Sequence, residues 1–171
     1  LDASRLLSFV PAIGTVFTIV TATGTISGTF NNLADNASLT IGDVNFQIDY
    51  TTTTVTLTVL APNVVYVDDN FANTNPGEDP NENPNLPGTP NVAGTPAVFG
   101  YDGFATIQAG IDAVAAGGTV NVAAGTYAES VMLNKRLTLD GAGDGNTAAD
   151  TILDATNLTT GLTVAASGLD A

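Results

Sequence analysis

The side chains of this chain that are able to do chemistry are almost all carboxylates. Its 171 residues include 17 Asp and Glu, 3 Lys and Arg, and no His or Cys. A Ser-His-Asp triad, a Cys-His nucleophile, a thiolate redox centre and the usual zinc site therefore cannot be built from it. Carboxylate acid-base chemistry, calcium bound through oxygen ligands, or no chemistry at all remain.

The charge balance limits the class of partner. The net charge is −14, whereas affinity for nucleic acid depends on Lys and Arg that replace counterions along the phosphate backbone. We therefore expect no nucleic acid partner and no anionic membrane surface. The sequence contains no run of about 20 apolar residues, so we also expect no insertion into a membrane.

Two acidic segments have a composition that suits calcium, which takes about 6 to 8 oxygen ligands. One follows residue 67 in a run rich in Pro, Asn and Gly, and the other is the glycine-rich turn at 140–146. For both segments the alternative is an ordinary solvated loop or turn. Calcium is thus the one candidate cofactor, and its candidate ligands are Asp68, Asp69, Asp79, Glu82, Asp140 and Asp144.

A catalytic pair of carboxylates is not favoured by the sequence. A glycosidase needs two carboxylates about 5 to 10 Å apart, and the candidates are Asp140, Asp144, Asp150 and Asp154. Each of them adjoins Gly, Ala or Asn in a predicted turn, where a short acid usually forms hydrogen bonds with its own backbone. We therefore predict no enzymatic activity and no catalytic residues.

Residues 1–62 are predicted to form an antiparallel β meander, or a sandwich-like domain if a second layer covers its apolar face. Val44–Tyr50 and Thr54–Val59 alternate apolar and polar residues, as half-buried strands do. Further strands are predicted at 16–20, 25–30 and 38–41. Gly42 and Asp43 predict a two-residue hairpin between two of these strands.

Residues 63–103 are predicted to be one apolar strand, Val64–Val67, followed by a long acidic loop. Six of the eight prolines of the chain lie between Pro76 and Pro96. A stretch so rich in proline excludes a helix or an inner strand.

Residues 104–171 are predicted to form a capping helix and a series of short strands. An apolar stripe predicts a helix over 104–116, with Asp102 as its N-cap and Gly117 at its end. Strands follow at 119–122, 130–133, 136–139, 151–153 and 161–164, with no helix between them. Such strands favour an all-β fold with the coils of a short parallel β-helix, a solenoid with one capping α-helix.

The segments FATIQAGIDAV (104–114) and AGGTVNVAAGTY (116–127) resemble the opening of a right-handed parallel β-helix of the pectin-lyase-like superfamily. LTLDGAG (137–143) and GLTV (161–164) are similar to the starts of its next coils, so the resemblance covers about 64–171. This opening occurs in lyases, hydrolases, epimerases and surface adhesins alike. The lyases use a basic residue near a calcium-bound uronate, which only Lys135 or Arg136 can match, and adjacent strand residues face opposite ways.

The first part of the chain has a different resemblance. GTVFTIV (14–20) and TISGTF (25–30) are similar to the closing segment of autotransporter-associated β-strand repeats in large bacterial surface proteins. The resemblance implies an extracellular or cell-surface location in a bacterium, and a chain that is one window of a longer exported array.

The predicted function follows from how a solenoid is stabilised. Each coil buries its apolar face only against its neighbours, so an uncovered coil at each end favours head-to-tail contact and an open filament. We expect an extracellular structural protein that self-assembles with copies of itself, or a segment of a bacterial surface adhesin. The alternative is a truncated carbohydrate-active β-helix, lyase- or hydrolase-like, or a carbohydrate-binding module with an extracellular polysaccharide as partner. The predicted assembly residues are Leu1, Leu6, Leu7, Phe9, Leu162, Val164 and Leu169.

Overall fold

A computed structural model of the chain describes residues 9–80, 98–143 and 149–165. Within these ranges the chain forms twelve β-strands, one α-helix and one 3₁₀ helix, so the predicted all-β class is confirmed. The chain divides into two compact units, Leu1–Ala61 and Pro62–Ala171. No helix in the described ranges is both long enough and apolar enough to cross a membrane.

The first unit contains a four-stranded antiparallel sheet. Its strands are β1 (Val16–Thr21), β2 (Ser38–Ile41), β3 (Val44–Tyr50) and β4 (Thr54–Val59), in the order β1-β4-β3-β2. The predicted alternation is confirmed, because the apolar positions of β3 and β4 are buried and the polar positions between them are partly exposed.

The turn between β2 and β3 is the predicted two-residue hairpin. Gly42 and Asp43 have φ angles of 51° and 65°, and Ile41 pairs with Val44 across the turn. Two successive residues with positive φ match the right-handed twist of the flanking strands, which explains why Gly and Asp occupy these positions.

The strand predicted at 25–30 is wrong. The segment makes isolated hydrogen bonds in place of a ladder: the N–H of Ile26 donates to the carbonyl of Thr52 at 2.8 Å, and the N–H of Phe30 donates to the hydroxyl of Tyr50 at 3.0 Å. Gly28 has a φ of 89°, which an extended strand does not tolerate. The backbone therefore bends where the apolar pattern predicted an extended segment.

The second unit is built from parallel strands. They are β5 (Val64–Val67), β6 (Gly103–Phe104), β7 (Thr119–Val122), β8 (Gly125–Tyr127), β9 (Val131–Leu133), β10 (Thr138–Gly141), β11 (Thr151–Leu153) and β12 (Leu162–Val164). One sheet has the order β10-β7-β5-β6, and two further pairs are β11 with β8 and β12 with β9. All of these pairings are parallel.

The helix α1 spans Ile107–Ala113 and is shorter than predicted. Thr106 is its N-cap and accepts a hydrogen bond from the N–H of Ala109 at 3.3 Å. Phe104 lies in β6, and Asp102 accepts from the N–H of Val98, so Asp102 is not the cap. The prediction failed at this end because the apolar spacing continues from the strand into the helix.

The core of the second unit lies between α1 and the parallel strands. The helix lies close to β5, since a Cβ at Gly110 would be only 2.7 Å from Cγ2 of Val67. A 3₁₀ helix at Asp69–Asn73, which the sequence did not predict, follows β5. The buried core residues are Val65, Val67, Ile107, Ile111, Val114, Val120, Val122, Tyr127 and Val131.

Candidate functional site

The predicted calcium ligands lie in separate places. Asp79 is half-buried in the loop before β6, and Asp140 is exposed in β10. Glu82 and Asp144 lie outside the described residues. Within the described ranges no three acidic side chains form a group able to hold a metal ion. Only Asp68 and Asp69 come together, where β5 ends and the 3₁₀ helix begins.

The Asp68 side chain is fully buried, with 0% exposure. Its Oδ1 accepts hydrogen bonds from the backbone N–H and the side-chain amide of Asn70, both at 2.9 Å. Its backbone N–H donates to the carbonyl of Phe104 at 3.0 Å, which fixes it beside β6. Its Oδ2 is buried without a hydrogen-bond partner among the described residues.

Asp69 lies on the solvent side of this buried carboxyl. Its side chain is exposed, and its charge raises the pKa of the neighbouring Asp68 carboxyl. It packs over Gly125 of β8, where a Cβ would be 3.0 Å from Oδ2 of Asp69. Glycine at this position therefore leaves room for the carboxylate, and the pair Asp68–Asp69 joins the end of β5 to β8.

Burial and the neighbouring charge set the protonation of this acidic pair. Burial raises the pKa of Asp68, the charge of Asp69 raises it further, and the hydrogen bonds from Asn70 oppose the rise. Tyr127 is buried nearby and donates its hydroxyl to the carbonyl of Ala123 at 3.2 Å. Burial, followed by the charges of Asp68 and Asp69, raises the pKa of Tyr127. Tyr127 therefore keeps its proton and acts as a neutral hydrogen-bond donor near the carboxyl groups of Asp68 and Asp69.

Two charged side chains, Glu129 and Lys135, form hydrogen bonds with the two ends of α1. The sequence did not predict this role for either of them. Glu129 accepts hydrogen bonds from the N–H groups of Ile107 and Gln108, at 2.7 and 3.0 Å. Lys135 donates to the carbonyls of Asp112, at 3.0 Å, and of Val114, and burial lowers its pKa. Lys135, one of the two residues that the family resemblance offered as a base, is thus hydrogen-bonded at a helix end.

The predicted assembly residues that the structure describes are exposed apolar side chains. Phe9 is 50% exposed, Leu162 52% and Val164 56%. Leu1, Leu6, Leu7 and Leu169 lie outside the described residues. Leu162 and Val164 belong to β12. Within the described residues, β10, β11 and β12 each pair with one earlier strand, on one side only. We call these three strands, with Leu139, Leu158, Leu162 and Val164, the open edge.

Paired positions on the two sides of these ladders differ sharply in burial. Val120 of β7 is 0% exposed, whereas Leu139, its partner in β10, is 38% exposed. Val131 of β9 is 2% exposed, whereas its partner Leu162 in β12 is 52% exposed. Apolar side chains thus continue into the outer strands, where the described residues leave them uncovered.

A polar row crosses the largest parallel sheet. Tyr66, Asn121 and Asp140 are neighbours in successive strands β5, β7 and β10, which places them about 4.8 Å apart. Tyr66 and Asn121 are partly exposed, and Asp140 is exposed. The sequence analysis missed this row because the residues are far apart in the chain and only the strand register brings them together.

No protein-family model, curated protein or solved structure matches the chain. Any functional conclusion therefore rests on the residues described above.

Proposed function

We propose that this chain is an extracellular structural protein, a β-solenoid module that assembles end to end with copies of itself into a filament or a segment of a bacterial surface adhesin. The observation that carries the proposal is the open edge. Leu139 and Leu162 of this edge pair in register with the buried Val120 and Val131 of earlier strands. A further parallel coil stacked on this edge would bury them in the same way.

The order of the strands supports a solenoid. The chain runs through β7, β8 and β9 and then through β10, β11 and β12. The second three strands pair in parallel with the first three in the same order: β10 with β7, β11 with β8, and β12 with β9. A chain that winds in successive coils gives this pattern. The resemblance of residues 64–171 to pectin-lyase-like proteins favours a right-handed coil.

The energetics favour assembly through the open edge. An edge strand presents unpaired N–H and C=O groups, and a second strand satisfies them. Apolar surface removed from water contributes roughly 25 cal/mol per Å². The net charge of −14 opposes contact between copies, so the apolar contact has to exceed this repulsion.

The opposite edge of the parallel sheet, away from β10, is covered by other elements of the second unit. β6 pairs beside β5, and the helix α1 packs against β5, β6 and β7. The head-to-tail partner of the open edge is therefore best sought in the first unit, where Phe9, Ile13, Val16 and Ile19 are exposed. Val16 and Ile19 lie in β1, one of the two edge strands of its sheet. Two different exposed edges on one chain fit a heterologous contact that repeats.

The test is sedimentation velocity over a range of protein concentration, with negative-stain electron microscopy of the largest species. We expect concentration-dependent association of the parent chain. Leu162→Asp should abolish it, because the charge enters the contact. Thr163→Asp is the matched control, since it adds the same charge to the same strand on the opposite face. Monomers at all concentrations, or equal loss in both variants, would refute the proposal.

A second candidate, a carbohydrate-binding surface, is favoured by the row Tyr66, Asn121 and Asp140. An aromatic ring, an amide and a carboxylate in one line offer stacking and hydrogen bonds to a sugar chain. Affinity electrophoresis in gels containing neutral or acidic polysaccharides tests this, with Tyr66→Ala expected to lose retardation. Release of unsaturated products from pectate or alginate would instead indicate a lyase.

A further inference from the structure

We propose that Asp68 and Asp69 bind a calcium ion that ties the start of the 3₁₀ helix to β8. This site is independent of the proposed assembly, since neither residue belongs to the open edge. Calcium was expected from composition across six acidic residues. Of the four that the structure describes, only Asp68 and Asp69 are neighbours, and the burial of Asp68 gives a physical reason for a site there.

The first reason is a buried oxygen with no donor. Oδ1 of Asp68 accepts both hydrogen bonds from Asn70, so that Oδ2 is the oxygen left to meet a ligand. Oδ2 is fully buried and unpartnered among the described residues. An ionised carboxylate oxygen withdrawn from water is unfavourable unless something positive meets it. A bound cation would satisfy both carboxylates at once.

The second reason is that the described part of the chain supplies no positive charge there. Its two cationic side chains, Lys135 and Arg136, lie before β10, near the point where the strands of the parallel sheet begin. Lys135 donates hydrogen bonds to carbonyl groups at the C-terminal end of α1, and the guanidinium of Arg136 lies beside Gly117. Asp68 follows the last residue of β5, at the opposite end of the same sheet. The described residues therefore offer no cation to neutralise the pair, and a cation from solution would do so.

The third reason is access. Asp69 is exposed, so an ion can reach the pair from solvent. Gly125 lacks the Cβ that would crowd the Asp69 carboxylate. Water completes the coordination, and a site with two carboxylates would bind with the weak affinity of extracellular calcium modules, a Kd of about 0.1 to 1 mM.

Calcium fits this position better than magnesium. Magnesium sheds its water ligands reluctantly and demands regular octahedral geometry, whereas calcium accepts irregular sets of oxygens. To reach the buried Oδ2 of Asp68 an ion must lose water on that side. The exposed carboxylate of Asp69 can then adjust to the larger ion.

The experiment uses the terbium ion as a luminescent probe of the calcium site. The chain contains no Trp, and Tyr127 lies close enough to feel the charges of both carboxylates. Excitation of tyrosine should therefore give terbium emission that calcium displaces. Asp69→Asn should lose the emission, Tyr127→Phe should lose most of it while calcium still binds, and Asp140→Asn should keep it.

Thermal melting after treatment with EDTA provides the second readout. Calcium should raise the Tm of the parent chain and of Asp140→Asn, with a shift that grows logarithmically once the concentration exceeds Kd, and magnesium should do so less. Asp69→Asn, at an exposed position, should fold and show no shift. A calcium response in Asp69→Asn equal to that of the parent would overturn the proposal. A parent chain whose Tm is insensitive to calcium would overturn it as well, and a higher Tm of Asp69→Asn in that case would indicate repulsion between the two carboxylates with no ion bound.

Discussion

The inner strands β7, β8 and β9 and the outer strands β10, β11 and β12 follow one another in the same order but differ in what surrounds them. Val120 and Val131 are buried, and their partners Leu139 and Leu162 are exposed. The inner strands are covered by α1, β5 and the outer strands. The comparison shows that an apolar residue in a parallel strand is buried only when a neighbouring element covers it.

The largest expected effect comes from a comparison of two single variants, in which the same charge is placed in one member or the other of a strand pair. Val131→Asp should destabilise the second unit by about 4 kcal/mol or more, because a carboxylate enters the core. Leu162→Asp should change the free energy of unfolding by less than about 1 kcal/mol, since its site is solvated. Urea unfolding at concentrations too low for association measures both. Similar losses in the two variants would show that the outer strand is buried after all.

The next effect tests how tightly the helix covers the inner strands. Gly110→Ala should destabilise the second unit by about 1 to 2 kcal/mol, although alanine favours helix by about 1 kcal/mol over glycine. The reason is the short distance from a Cβ at this position to Val67. Gly24→Ala is the control, since a Cβ there would contact nothing within 4 Å. A stabilised Gly110→Ala variant would mean that α1 has room to move away.

A smaller effect concerns Tyr127, the buried last residue of the inner strand β8. The pKa of Tyr127 is raised above its ordinary value of 10.0 in the folded chain. Above pH 10 the unfolded chain loses this proton while the folded chain keeps it, so the unfolded state binds fewer protons and stability falls as pH rises. Unfolding by urea between pH 9 and about 11 should show this fall.

Tyr127→Phe is the control for that titration. Its free energy of unfolding should decline less steeply over the same alkaline range, because phenylalanine has no proton to lose. An identical decline in both chains would assign the pH dependence to other groups.

The smallest effect is that of salt on association through the open edge. Each copy has a net charge of −14, and at physiological ionic strength charges are screened beyond about 8 Å. Moderate NaCl should therefore strengthen self-association several-fold, as measured by light scattering. Weakening by salt would indicate a contact held by ion pairs instead of apolar side chains.

Elements with a strong local pattern could be predicted from the sequence. The alternation in Val44–Tyr50 and the Gly42–Asp43 turn were predicted correctly, because each depends on adjacent residues. The strand predicted at 25–30 was wrong because Gly28 adopts a positive φ. Ile26 and Phe30 on either side follow the alternation of a strand, and this pattern gives no sign of the bend. The start of α1 was wrong because Phe104 continues the helical spacing while pairing as a strand.

The candidate site could be predicted only in part. Adjacent acids in a polar segment identified Asp68 and Asp69. The burial of Asp68, the approach of Gly125 and the presence of Tyr127 depend on contacts between β5, β8 and the 3₁₀ helix, more than 50 positions apart in the chain. Sequence spacing has no information about such contacts until the register of the strands is known.

The carboxylate of Glu129 has a consequence for the order in which the chain folds. It caps the first N–H groups of α1 from 22 and 21 residues further along the chain. A helix of seven residues is too short to be stable by itself in water. During synthesis, α1 should therefore become stable only after residue 129 has emerged, so that the helix and the first strands it covers form in one concerted step.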